Sequence, residues 1–81
     1  MIDTRGMVLT GRDRAVLRAI ASDRCQLDDG PVPVLRIDGI ICADPAVGRR
    51  LLSAGLISST APGQPMAAAV ITAAGRAALA S

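Results

Sequence analysis

The apolar positions of this chain change their period along its length, and each change marks an element. Val16, Leu17 and Ile20 recur at helical spacing, with Arg14, Arg18 and Ala21 on another face. Thr10 stands ahead of them as an N-cap and Asp13 three residues later makes a short-armed capping box, which predicts a helix to about Ser22. Val34-Leu35-Arg36-Ile37 and Ile40-Ile41-Cys42 flank Asp38-Gly39, the strongest two-residue turn signal, and read as a tight β-hairpin. The competing reading is a short helix through Val34 to Ile40, which must carry a glycine. Helical spacing returns after Asp44-Pro45, a cap followed by a residue suited to a first helical turn. Val47, Leu51 and Ala54, with Leu52 beside them, share an inward face; Ala46, Arg49, Arg50 and Ser53 share the outward one. Gly55 stops that helix. Leu56-Ile57 and Ala69-Val70-Ile71 then enclose Ala61-Pro62-Gly63-Gln64-Pro65, the composition of two strands and a loop, and Thr72 caps a short Ala-rich closing helix anchored by Leu79.

The order is therefore helix, β-hairpin or short helix, helix, two-stranded hairpin and short C-terminal helix, an α+β arrangement. Residues 1–8 are expected to be a flexible segment, with Met7, Val8 and Leu9 placed to pack on a single domain of residues 9–81.

Leu52, Gly55, Leu56 and Ile57, followed by Ile71, Thr72, Gly75 and Arg76, match the "L…GLI" and "LTxxGR" runs of winged-helix DNA-binding domains, and Leu9-Thr10-Gly11-Arg12 with Val16-Leu17 suits their first helix. On these residues the chain resembles the MarR-like branch of that family, most closely over 44–81. The middle segment is degenerate. Gly30-Pro31-Val32-Pro33 and Asp38-Gly39 interrupt the length that a second helix would occupy. The resemblance implies a small winged-helix-like domain that binds double-stranded DNA or regulates transcription, with the helix at 45–54 in the major groove. Arg49, Arg50 and Ser53 would then face the bases, since arginine can bind guanine or phosphate with its planar fork, while Arg14 and Arg18 would contact the backbone. The plainer readings are a solvated helix face for Arg14 and Arg18, and two ordinary arginines near a helix C-terminus for Arg49 and Arg50.

Composition narrows the chemistry. At 81 residues and 51% hydrophobic content, the chain has room for one modest core, and with no Phe, Tyr or Trp that core must be aliphatic. Modest stability, helped by self-association, is the expectation. All nine basic residues are Arg and all seven acids Asp, a skew typical of a GC-rich genome that removes Lys, Glu, His and Tyr from any acid–base role. No enzymatic function and no cofactor are expected. Cys25 and Cys42 supply too few ligands for zinc, so they read as thiols partly or wholly buried, and no metal is expected. Without an apolar run of membrane-spanning length or a secretory leader, the expected location is the cytoplasm.

Charge is polarised: net +2 over residues 1–22, −3 over 23–44 and +3 over 45–81. A positive C-terminal half suits a polyanion, although the loop at 58–66 has no basic residue to clamp a phosphate backbone and no aromatic is present to stack on bases. A second reading uses the same scaffold as a protein-interaction module, such as an accessory, mobile-element or phage protein. It would bind a partner through an acidic loop from Asp23 to Asp38 or through an apolar face of Met66, Ala68, Val70 and Leu79. That face also suits a homodimer, whereas the closing helix is too short to dimerise as MarR-like proteins do.

Overall fold

Thr10 starts the first helix in two ways at once. Its hydroxyl accepts from the Asp13 N–H at 3.1 Å and the Asp13 carboxylate accepts from the Thr10 N–H at 3.1 Å, so two of the backbone donors at this helix end are satisfied reciprocally. The computed structural model, which describes residues 9–28, 30–42, 44 and 46–80, places α1 at Gly11–Ala21, as the capping residues predict. The segment 1–8 and Pro45 lie outside the described residues.

Among the described residues three helices and five strands follow one another as α1, β1 (Cys25–Asp28), β2 (Val34–Ile37), β3 (Ile40–Ile41), α2 (Val47–Ser53), β4 (Ile57–Ser59), β5 (Ala67–Ile71) and α3 (Ala73–Ala80). The strands form one antiparallel sheet in the order β3-β2-β1-β5-β4. The Asp38-Gly39 turn decides the middle segment: φ is +53° at Asp38 and +80° at Gly39, the double left-handed geometry of a two-residue hairpin, and no helix forms between β1 and α2 among the described residues. Leu27 pairs with Leu35 on one side and with Ala67 on the other, so β1 is the central strand that joins the two hairpins.

The sheet has two unlike faces. Cys25, Leu27, Leu35, Ile57, Ala67 and Ala69 are buried beneath Val16, Leu17 and Ile20 of α1 and Val47 and Leu51 of α2. Gln26, Asp28, Arg36, Ala68 and Val70, the alternate positions, turn the other way. α1 lies across β5 and β2, α2 against β2 and β4, and α3 against α1 and β5.

The second helix is shorter at its start than the sequence suggests. Asp44 accepts from the Ala46 N–H at 3.0 Å and its carbonyl accepts from Val47 at 3.3 Å, so it closes a turn ahead of the helix, and the N-cap position falls to Ala46, which has no capping side chain. The other end is as expected. Gly55, at φ +73°, donates to Leu52 O and Leu56 donates to Leu51 O, the paired bonds of a Schellman motif. Thr72 also caps as predicted, accepting from the Gly75 N–H at 3.0 Å.

Candidate nucleic-acid interface

Burial of Val47 and Leu51 turns α2 so that Ala46, Arg49, Arg50 and Ser53 are all exposed, the division that helical periodicity predicts. The two arginines then differ. Arg49 makes no hydrogen bond or ion pair to a described residue, and lies with Val32, Pro33 and Ala46 around a shallow groove. Arg50 is committed. Its guanidinium pairs with the Asp13 carboxylate on α1 and stands 3.8 Å from Asp44. The sequence reading of Arg50 as an outward base-reading group therefore gives way to a different one: half exposed, it ties α2 to the first turn of α1.

Asp13 is the one buried charged residue among those described. Burial alone would raise its pKa, but the hydrogen bond from Arg50, those from Thr10 and the Arg50 charge outweigh that cost and hold it below the usual aspartate value.

The remaining predicted contacts do not gather on one surface. Arg14 donates through Nη1 to the Leu79 carbonyl at 3.3 Å, so it ties α1 to the last turn of α3. Arg18 is exposed on α1 and makes no hydrogen bond or ion pair to a described residue. Sequence reasoning passed over Arg12, which is exposed and lines the cleft shared by Thr10, Asp13, Asp44 and Arg50. A count along α1 places it one turn ahead of the apolar stripe, but only the Arg50 tether reveals that α2 lies beside it.

Two of the five aspartates between residues 23 and 44 are paired with that segment's own two arginines. Arg24 grips Asp38 with two nitrogens across the hairpin, and Arg36 bonds Asp28 at 2.7 Å. Each arginine draws its aspartate below the ordinary carboxylate range, and the Met66 N–H adds to this at Asp28. Asp28 thus ends a strand instead of lying in a free acidic loop; Asp29 lies outside the described residues. The proposed apolar face also divides. Leu79 packs on the core, whereas Ala68 and Met66 are exposed and Val70 is half-buried on the uncovered side of the sheet.

Both cysteines are free, Cys25 buried and Cys42 half-buried. Burial pushes the Cys25 thiol up to about 11, against a smaller opposing pull from Arg24. An alkylating reagent at about pH 8 is therefore expected to modify Cys42 at least tenfold faster than Cys25, which should react only after denaturant is added; mass spectrometry of the two peptides checks this. Among the described residues no group of three or more metal-ligating side chains occurs, and no helix is long and apolar enough to cross a membrane. Comparison of the chain with protein-family models, with curated proteins and with solved structures finds no match.

Proposed function

We propose that this is a small winged-helix-like DNA-binding domain, in which α2 enters the major groove and Arg49 and Ser53 reach the base edges. The observation that carries the reading is the exposure of Arg49 on a helix whose opposite face is buried against the sheet. An arginine without an acidic partner can offer its whole fork to guanine or phosphate. Support also comes from connectivity: α2 runs directly into the β4–β5 hairpin, and β1 lies beside β5. In this reading the β2–β3 hairpin occupies the stretch where a winged helix has its second helix. Arg50 is a positioning residue, and Arg12, in the cleft beside Arg50, joins Arg49 as a candidate phosphate contact.

Few phosphates can be neutralised by so few cations, so affinity should be low and steeply salt-dependent. Anisotropy of a labelled duplex titrated at low and moderate salt tests this. Arg49→Ala is expected to weaken binding several-fold and to reduce the salt slope by about 1. Arg50→Ala is expected to act mainly through stability. Absence of wild-type binding at low salt would refute the DNA reading. The alternative, a protein-interaction module, is favoured by one observation: the apolar groove of Val32, Pro33 and Ala46 beside Arg49.

A further inference from the structure

The two edges of the sheet are unlike. β4 presents Ile57 to the core and then Ser58 and Ser59, and its chain turns back on itself, with Ala61 donating to Ser59 Oγ and Thr60 donating to Ala68 O. β3 consists of Ile40 and Ile41, 72% and 61% exposed. At two residues it is a very short edge, but no charged side chain, proline or bulge lies in the strand. Val32, 71% exposed, stands on the segment leading into the same hairpin.

The backbone register makes this edge competent to pair. Cys42 donates to Leu35 O, so residues 35 and 42 form a hydrogen-bonded pair, and Ile41, opposite Arg36, falls in the alternate, non-bonded position. The N–H and C=O of Ile41 therefore point away from β2, outward from the sheet.

We infer that β3 is a dimer edge, on which the β3 strand of a second copy pairs antiparallel across a two-fold axis at Ile41. Three arguments favour a copy of this chain over another strand. In that register Ile41 faces Ile41 of the second copy, and each N–H donates to the other's C=O, so one interface satisfies both outward groups at once. The hairpin also brings no net repulsion to a copy of itself, because Arg24–Asp38 at its tip and Arg36–Asp28 along its length are neutralised within each chain. Last, an aliphatic core in a chain of this size leaves little stability in reserve, and the dimer covers Ile40 and Ile41. The contact is small, which places it among weak, transient dimers. The inference is independent of DNA binding: a domain that failed every DNA titration would dimerise equally.

Sedimentation equilibrium with interference optics, needed because the chain lacks Trp and Tyr, tests it over about 5–500 µM. The apparent mass should rise from one chain to two. Ile41→Lys should weaken the dimer at least tenfold, and so should Ile41→Pro, which removes the outward N–H without breaking a bond to β2. A wild type that stays monomeric throughout overturns the inference and leaves the edge to a different chain; so does a dimer that survives both substitutions. Should the variants fail to fold, hydrogen exchange on the wild type decides. Protection of the Ile41 amide must grow with protein concentration, and protection that stays constant overturns the inference.

Discussion

Gly75→Ala is expected to destabilise the domain by about 2–3 kcal/mol, although alanine is the better helix former by about 1 kcal/mol. A Cβ built on Gly75 would lie 2.1 Å from the Leu56 carbonyl oxygen and 2.7 Å from Ile71 Cγ1. The first of these is backbone, fixed from two sides. Leu56 O accepts from the Thr72 N–H at 3.0 Å, and the neighbouring Gly55 O accepts from Thr72 Oγ1 at 2.6 Å. Neither carbonyl can retreat without giving up a bond that seats α3 against the end of α2, so the added methyl must move the helix. Urea unfolding of the two proteins measures the difference. Equal midpoints would mean that α3 does not approach Leu56 so closely. The Thr–x–x–Gly spacing thus has a local cause here: Thr72 caps the helix and Gly75 lets it lie on the chain it caps.

Asp13→Ala is expected to cost about 2–3 kcal/mol near neutral pH. Roughly 1 kcal/mol of that is the reciprocal half of the capping box, and the rest is the charge-assisted bond to Arg50, reduced because Arg50 is 42% exposed and screened by water. The same residue gives a pH signature. Its folded pKa lies below the unfolded value, so its contribution is complete above about pH 4 and disappears as pH falls through the folded pKa. Asp28 and Asp38 are lowered as well and titrate in the same region. The informative quantity is therefore the wild-type minus Asp13→Ala difference, which should shrink between about pH 7 and about pH 2. A difference that stays constant would show that the Asp13 charge contributes nothing.

The elements that could be read from the sequence are those with a local cause. Thr10 and Asp13 cap each other within one turn, Asp38-Gly39 closes a hairpin over two residues, and Gly55 ends α2 by its own backbone geometry. What escaped depended on contacts distant in sequence. Cys25-Gln26-Leu27-Asp28 does alternate apolar and polar, but four residues between a helix end and a Gly-Pro turn are too few for a period of two to stand out, and the central strand was missed. The outward position of Arg50 was correct, yet its partner lies 37 residues away on another helix. The exposure of Ile40 and Ile41 follows from β3 being an edge, a fact of strand order that no short window contains.

The central place of β1 has an entropic consequence. The β2–β3 hairpin closes a loop of two residues, whereas pairing Gln26 with Ala68 encloses about forty, a difference in loop-closure cost of about 2–3 kcal/mol. The chain meets that cost only if the intervening segment is already compact when β1 and β5 come together. Among the described residues the only helix in that segment is α2, which packs against β2 on one side and β4 on the other. The helix that presents Arg49 thus also holds the two hairpins side by side, so a substitution on its buried face would reach the assembly of the whole sheet.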